Sequence, residues 1–172
     1  MAVDTKSRRV AEIIDNIRRV FQVVNEHSKR AEKETGITGP QLWAIKTIAE
    51  FAPIKGAELA RRMYLHPTTV VGILDRLEAR GLVVKNRSTV DRRIVEVELT
   101  EQGKALVASA PEVAQGMLVK GLEPLPDRTL LKISDGLDEL VRILGAKELP
   151  PNLILSSEVN APVKRGTRSR KP

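Results

Sequence analysis

Apolar residues recur at helical spacing over most of this chain. Over residues 8–33 they follow an i, i+3, i+4, i+7 pattern, which predicts one long amphipathic helix ended by Gly36. A second helix is predicted from about residue 38 to Pro53, with Pro40 suited to its first turn.

The next two predicted helices are close together. One covers 57–63 and the other 67–80, with a tight turn over 64–66 between them. Pro67 suits a first helical turn, where a missing N–H costs nothing, and Gly81 supplies the stop. Two helices joined by about three or four turn residues are typical of a helix-turn-helix.

After Gly81 the pattern changes to alternation. Short strands are predicted over 82–85 and 95–99, and Ile54 is a candidate for a third. The loop over 86–93 is rich in turn formers and carries arginines, which predicts a β-hairpin with a positive tip. A helix-turn-helix followed by such a hairpin is a winged helix, whose helix can enter a major groove while the tip reaches backbone or minor groove.

Helical spacing then returns. Thr100 is a natural N-cap for a helix that continues to about residue 118, and Pro111 predicts a kink or break within it. The last helix, over 127–144, carries leucine and isoleucine at alternating three- and four-residue steps, as in a coiled-coil seam.

The first and last helices both have strong apolar faces. Either these faces are satisfied within one chain, or the two helices pack together and against a second copy; we favour a symmetric homodimer. The fold class predicted is mainly α with a small β-wing, an α+β protein. It has a helical dimerisation region (8–36 and 100–145), a winged helix-turn-helix DNA-binding region (37–99) and a basic, disordered tail (146–172).

The net charge of +7 is unevenly placed. Residues 55–93 carry nine Lys/Arg against four Asp/Glu, and residues 150–172 carry five against one. The remainder is slightly acidic, at −2. A localised positive surface of this kind indicates a polyanion partner, here double-stranded DNA. The tail either adds nonspecific phosphate contacts or is only a solvated end.

Composition excludes several other functions. Aromatic residues are 2% of the chain, which leaves little material for stacking bases, and there is no cysteine for disulfides, thiolate metal sites or redox sensing. The two histidines are far apart, and no nucleophile–base pair or phosphate loop is present. We therefore predict no enzyme activity, no metal and no cofactor. No long apolar run occurs, so we expect a cytoplasmic protein without membrane contact.

A small-molecule site is a further hypothesis. His27, Arg30, Trp43 and Lys46 could line a cleft between the first two helices that suits a small aromatic or anionic effector. For each of them the simpler interpretation, a solvated helix face or a packed core, has the greater weight. Trp43 in particular is either a packing residue or a pocket wall.

Three motifs resemble the MarR family of winged-helix transcriptional regulators. They are the run LDRLEARGLV over 74–83, the wing motif DRR over 91–93 and LTEQG over 99–103. Each is weak alone, but their order and spacing are specific, and the resemblance covers the chain from Gly36 to about Leu144. It implies a homodimer, a recognition helix in the major groove, a wing arginine in the minor groove, and repression relieved by a small ligand.

The resemblance also implies which residues contact DNA. Thr68 and Thr69 match the exposed start of the recognition helix, and Asp91 matches a residue that braces one wing arginine while another meets DNA. Arg76 is either a DNA contact or an ion-pair partner of its acidic neighbours. Gly72 departs from the family, many members of which carry a long side chain there. The candidate DNA-binding residues are Pro67, Thr68, Thr69, Gly72, Arg76, Arg87, Asp91, Arg92 and Arg93.

The leading hypothesis is a sequence-specific, ligand-responsive DNA-binding regulator, with repression expected, acting as a homodimer on pseudo-palindromic operators. The alternative is a winged-helix module that recognises a protein partner and binds nucleic acid only nonspecifically, through its basic tail. The two hypotheses differ at the wing arginines, which only the first requires.

Overall fold

A computed structural model describes residues 4–87, 94–151 and 153 of the chain. Within these residues, seven helices surround a small antiparallel sheet, which confirms the predicted winged-helix class. The wing residues Asp91, Arg92 and Arg93 and the tail beyond Leu153 lie outside the described residues. The elements are α1 (Thr5–Thr35), α2 (Gly39–Phe51), β1 (Ile54–Lys55), α3 (Gly56–Arg62), α4 (Pro67–Ala79), β2 (Val83–Arg87), β3 (Val95–Leu99), α5 (Glu101–Ser109), α6 (Ala114–Leu122) and α7 (Asp127–Ile143).

The core lies between α2, α3, α4 and the sheet. The predicted apolar faces of α3 and α4 meet there, and α2 crosses behind them as the most deeply buried helix. The fully buried side chains at its centre are those of Leu42, Ile45, Ile48, Leu59, Ile73 and Leu77. This packing fixes the orientation of α4, whose opposite side faces solvent.

The sheet has the order β1-β3-β2, with both pairs antiparallel. Ile54 pairs with Val97, which confirms the third strand, and Val83 pairs with Leu99 at the other side of β3. β2 extends two residues further than predicted, to Arg87, because the ladder continues to the Arg87–Val95 pair.

The wing returns to the helices through a tight junction. The backbone N–H of Thr100 donates to the Leu82 carbonyl at 3.2 Å, and its hydroxyl donates to the Gly81 carbonyl at 2.6 Å. Thr100 also caps α5, since its Oγ1 accepts from the N–H of Gly103 at 3.1 Å. A Cβ atom on Gly103 would lie 2.1 Å from the Leu82 carbonyl oxygen. The junction therefore requires a glycine at this position.

The long helix predicted after Thr100 is broken, as Pro111 indicated. α5 ends at Ser109 and α6 begins at Ala114, with an extended segment between them. The first helix is longer than predicted at both ends. It begins at Thr5 and ends at Thr35, where Gly36 adopts a left-handed backbone with φ 71°.

The terminal helices are largely uncovered within one chain. In α1 only Val24 and Ala31 are buried, and no residue of α7 is. Their apolar faces are therefore not satisfied within a single described chain. The large apolar side chains exposed on them include Val10, Ile13, Ile14, Val20 and Phe21 on α1, and Leu131, Leu137, Val141 and Ile143 on α7. Beyond α7, the half-buried Leu153 packs against the core.

No helix in the described part of the chain is long and apolar enough to cross a membrane.

Candidate nucleic-acid interface and adjoining cavity

The start of α4 is held by a local cap that leaves its first residues open. Nδ1 of His66 accepts a hydrogen bond from the backbone N–H of Thr68 at 3.3 Å, so the histidine serves as the N-cap. Pro67 and Thr68 are exposed, whereas Thr69 is half-buried. Of the two threonines, Thr68 is the more accessible to a partner.

Exposed positions continue along one side of α4. Thr68, Val71, Asp75 and Glu78 follow one another at helical spacing, and we call this row the open face of α4. Gly72 lies beside it. A Cβ atom there would meet nothing nearer than Nη1 of Arg76 at 4.0 Å, so the surface over Gly72 is open to the close approach of another molecule.

Lys85 connects β2 to the open face of α4. Its Nζ lies 2.5 Å from Oδ1 of Asp75 and 2.9 Å from Oε2 of Glu78. Partial burial is the largest single influence on this amine and lowers its pKa. The hydrogen bonds and attraction of the two carboxylates together outweigh it, so that the pKa of Lys85 lies above the usual lysine value. The ammonium is therefore charged throughout the physiological range.

The wing begins as a basic strand end. Arg87 is exposed at the last position of β2. The amide of Asn86 donates to Oε2 of Glu98 at 3.1 Å and holds β2 to β3 beside it. The next predicted contacts, Asp91, Arg92 and Arg93, lie outside the described residues, so their roles stay predictions.

The far end of α4 is joined to α1. The guanidinium of Arg80 donates to the backbone carbonyl of Gly36, the residue that ends α1. Arg76, one turn earlier, is half-buried on the flank of α4. A displacement of α1 would thus act directly on the C-terminal end of α4.

A cavity of about 420 Å³ lies between α2, α3 and the segment from α5 to α6. Trp43 and Lys46, two of the four residues predicted for an effector pocket, line it. His27 and Arg30 do not line it. His27 Nδ1 is 3.1 Å from the backbone oxygen of Glu112, behind the cavity wall, and Arg30 pairs with Glu34 along α1 at 2.9 Å.

Trp43 is both a packing residue and part of a pocket wall, the two interpretations that the sequence left open. It is buried against α6, where a Cβ atom on Gly116 would lie 3.3 Å from Cδ1 of the indole, and its ring also forms part of the cavity wall. The small residue at 116 is what lets α6 approach the indole so closely.

The cavity wall carries charges of both signs. Lys46 Nζ lies 3.3 Å from Oε1 of Glu112, while Arg62 stacks 3.5 Å from the ring centroid of Phe51 and pairs with Glu58 at 2.9 Å. In the described residues, Lys120 of this wall has no ion-pair partner. The cavity therefore offers an indole, an apolar floor and an unengaged ammonium.

Glu123, which lines the cavity, is in contact with the helix-turn-helix. The hydroxyl of Tyr64 donates to Oε1 of Glu123 at 3.0 Å. Its hydrogen bond to Glu123, and then the carboxylate's charge, raise the pKa of Tyr64 above 10.0. Tyr64 lies in the turn before α4 with φ 51°, so the contact ties that turn to the end of α6.

Sequence reasoning missed most of this cavity. Phe51, Arg62 and Lys120 come from three separate helices, and no spacing in the chain relates them. Glu123 follows Lys120 at the end of α6. The one available signal is Gly116, a glycine inside an apolar helical pattern, which marks a close contact with another element.

Comparison with known proteins decides the family. A model described as the MarR family matches residues 37–95. The HTH-type transcriptional repressor MdtR of Bacillus subtilis (strain 168) is 28% identical over 88 residues, which make up 51% of this chain and 57% of MdtR. The organic hydroperoxide resistance transcriptional regulator of the same bacterium is 30% identical over 111 residues, covering 64% of this chain and 74% of that regulator.

This chain belongs to the MarR family. Its fold is also that of Streptococcus pneumoniae FabT, crystallised in complex with DNA, with a TM-score of 0.50 and 22% identity over 80% of this chain and 96% of FabT. The predicted resemblance is therefore confirmed. The chain spans just over half the length of MdtR.

The MarR-family match coincides with the winged helix. Residues 37–95 run from the start of α2 through α4 and β2 to the first residue of β3. The open face of α4, Lys85 and Arg87 lie inside the matched segment. In this MarR-family regulator, helices α1, α6 and α7 lie outside the matched segment, and so does part of the cavity wall.

Proposed function

We propose that this MarR-family regulator binds duplex DNA sequence-specifically through α4 and the wing. The observation that carries the proposal is the open start of α4, where Pro67, Thr68 and the space over Gly72 face solvent on a helix whose other side is fixed in the core. Such an end can enter a major groove, with Thr68 and Thr69 as candidates for base or phosphate contacts. Arg76, on the flank of α4, is a further candidate for a DNA contact.

The wing would supply the second contact. Arg87 is exposed where β2 ends, and the following residues carry Arg92 and Arg93 with Asp91 beside them. Arginine is suited to phosphates and to a narrow minor groove, and a neighbouring carboxylate can orient it. Because Gly72 and Val71 present no long polar side chain, we propose that operator choice depends on Thr68, Thr69, the wing and DNA shape.

We further propose that the protein works as a homodimer. The apolar rows of α1 and α7 lie outside the winged helix and are exposed in a single chain, and contiguous exposed apolar surface is typical of a protein–protein interface. Residues 8–36 and 100–145 would form the dimerisation region. A two-fold axis would place both copies of α4 on one face of the duplex, which calls for a pseudo-palindromic operator.

The cavity is our proposed effector site. An aromatic anion of modest size would pack on Trp43 and pair with Lys46 or Lys120. Because Glu123 lines the cavity and accepts a hydrogen bond from Tyr64, an occupant that displaced Glu123 would act on the turn that precedes α4. Repression released by such a ligand is the regulation we propose, and MdtR bears the name of a repressor.

The DNA proposal is tested with the purified protein and the duplex from upstream of its own gene. A shuffled duplex is the control, and both are titrated across a salt series. We expect a preference of about a thousandfold or more for the genomic duplex. Arg92→Ala and Arg93→Ala should each weaken binding and make the affinity less dependent on salt. The reason is that a complex with fewer phosphate contacts releases fewer counterions when it forms.

The opposite result would favour the protein-interaction alternative. Equal, weak affinity for both duplexes, unchanged by the wing variants and abolished by removing residues 150–172, would contradict sequence-specific DNA reading. The basic tail would then be the nucleic-acid contact, and the search would turn to protein partners.

The effector proposal is tested through Trp43, the only tryptophan in the chain. Benzoate serves as the model aromatic anion. We expect it to change Trp43 fluorescence saturably and to release the DNA, with Lys120→Gln weakening both effects in parallel. Lys132→Gln, on α7 and outside the cavity, is the matched control. A fluorescence change that Lys120→Gln leaves intact would exclude anion recognition by Lys120, and one that both Lys120→Gln and Lys46→Gln leave intact would exclude it for this cavity.

A further inference from the structure

The open face of α4 contains two carboxylates, which is unexpected for a helix proposed to lie against phosphates. Asp75 and Glu78 are the acidic residues of α4, and both are exposed. Asp75 is seven residues beyond Thr68, hence two turns along the same side of the helix. Left alone, these charges would repel a polyanion at the distance of a groove wall.

Lys85 pairs with both of them and offsets part of their charge. It is anchored in the middle of β2, paired with Val97, and its ammonium lies within hydrogen-bond distance of one oxygen from each carboxylate. Only 23% of its side chain is exposed, so its stem is packed and its charge is directed at α4. The strand thus brings a cation directly to the two carboxylates, in addition to Arg76, which is half-buried on the flank of α4.

A direct role for Lys85 in phosphate binding fits this geometry poorly. Its ammonium is already shared between two acceptors, and a phosphate would have to displace them. Arg87, two residues along the same strand, is exposed and better placed for that contact. Of the two basic residues of β2, Arg87 is therefore the candidate for a phosphate contact, and Lys85 is the one that pairs with carboxylates of α4.

We propose that Lys85 is a positioning residue for DNA binding, which acts through Asp75 and Glu78 by offsetting part of their negative charge on the open face of α4. It does not touch the DNA. The inference rests on the proposed DNA-binding function and names the residue that lets an acidic helix face approach phosphates. Its removal exposes two uncompensated negative charges at the protein–DNA boundary.

The test uses the full-length protein and the duplex that the wild type prefers. Lys85→Met should lower the affinity about tenfold at an ionic strength of about 0.15 M, because like charges across an interface are costly. The loss should shrink as salt is raised, since screening weakens the repulsion. Lys85→Arg, which keeps a cation beside both carboxylates, should stay within about threefold of the wild type.

Charge rescue is the decisive measurement. The triple variant Lys85→Met, Asp75→Asn, Glu78→Gln carries neutral amides in place of both carboxylates, so no negative charge is left there to repel the DNA. Its affinity should return to within about threefold of the wild type. If Lys85 contacted phosphate itself, the triple variant would stay as weak as Lys85→Met. A loss that is independent of salt would instead indicate a displaced wing. Either result overturns the proposal.

Two controls separate this proposal from other causes. Lys104→Met removes a comparable ion pair, to Glu101 at 2.7 Å on α5, with the same change in net charge, and should leave the affinity within about threefold. Thermal unfolding of each variant shows that it is folded at the assay temperature. If the wild type prefers no duplex, the proposed function fails. If it does and Lys85→Met binds equally well, only the present inference fails.

Discussion

Gly103 shows how a single atom can decide the path of the chain. It lies in the first turn of α5, directly against the backbone of Leu82, where the wing joins the helices. The last three residues of the 74–83 motif, GLV, meet the LTEQG motif at this point. The spacing of the two motifs in the sequence reflects this contact between Leu82 and Gly103. The glycine is needed for space and not for a special backbone angle.

Gly103→Ala should destabilise the fold strongly. The added Cβ atom would lie 2.1 Å from a backbone oxygen that is held by the Thr100 N–H, so relief requires movement of the junction. We expect a loss of about 1–3 kcal/mol or more in the free energy of unfolding, measured by urea denaturation. Gly121→Ala, where a Cβ meets nothing within 4 Å, is the control. Equal stability of the two variants would contradict the close contact.

Gly72→Ala should separate stability from DNA binding. The residue is inside α4 with room for a Cβ atom, so the better helix former should raise the free energy of unfolding by up to about 1 kcal/mol. Affinity for the preferred duplex should fall if DNA approaches the helix there. Gly136→Ala, in α7 with equally open surroundings, should leave affinity alone. Raised stability with unchanged affinity for Gly72→Ala would exclude a close approach.

At the scale of elements, the pieces of the winged helix are linked to the outer helices by a few polar contacts. Arg80 joins α4 to the end of α1, and Tyr64 joins the turn before α4 to the end of α6. Both contacts converge on α4 from opposite ends. A shift of the outer helices therefore has two routes to the proposed recognition helix.

The Tyr64–Glu123 contact predicts an unusual titration. Tyr64 is the only tyrosine, so the ultraviolet absorbance of phenolate reports on it alone. Its pKa should lie above that of free tyrosine, about 10, and Glu123→Gln should bring it back towards that value. A native pKa above the unfolded one means that this contact stabilises the fold below pH 10 and that the contribution disappears as pH rises through the native pKa.

The matched control for that titration is Glu112→Gln. It removes another carboxylate of the same cavity wall, one that pairs with Lys46 and not with Tyr64. The tyrosine pKa should not respond to it. An ordinary pKa in the wild type would mean that the turn before α4 is not tied to α6 in solution.

At the scale of the whole molecule, the exposed faces of α1 and α7 predict self-association. Val20→Asp should shift the protein towards monomers, because a charge would be buried in the apolar interface. Val20 is 59% exposed in a single chain, and Val71 of α4 is similarly exposed at 56%, so Val71→Asp is a matched control that should leave the mass unchanged. Analytical ultracentrifugation at micromolar concentration measures both.

A monomeric wild type would contradict the dimer, and so would loss of association in both variants. In the first case the open apolar rows would need another partner. In the second, the assembly would involve α4 itself, which is incompatible with a free reading face on each copy.

Much of the winged helix could be predicted from local pattern alone. Helical spacing, a tight turn, Gly81 and a change to alternation specify α3, α4 and the wing strands, because each is encoded within a few neighbouring residues. The break at Pro111 and the cap at Thr100 were predictable for the same reason, since backbone donors and ring sterics act locally. Element ends differed from the predictions by a few residues where tertiary pairing extended them, as in β2.

The cavity could be predicted only in part. Trp43 and Lys46 were identified because they share one helix, but His27 and Arg30 do not line the cavity, and the remaining wall comes from segments far apart in the chain. No periodicity relates an arginine of α3 to a lysine of α6. Their meeting depends on how α2 is enclosed by its neighbours.

The sequence by itself determined the elements, the family and the concentration of positive charge on the winged helix and tail, since these follow from residue order and composition. Tertiary structure decided which charges are cancelled and which remain open. Lys85 and Arg87 look alike in the sequence, yet one reaches back to two carboxylates of α4 and the other faces solvent. Strand alternation does not separate them, because residues two apart lie on the same face of a strand. The physical reason is the packing of α4, which places Asp75 and Glu78 beside Lys85 in the middle of β2, whereas Arg87 is the last residue of that strand.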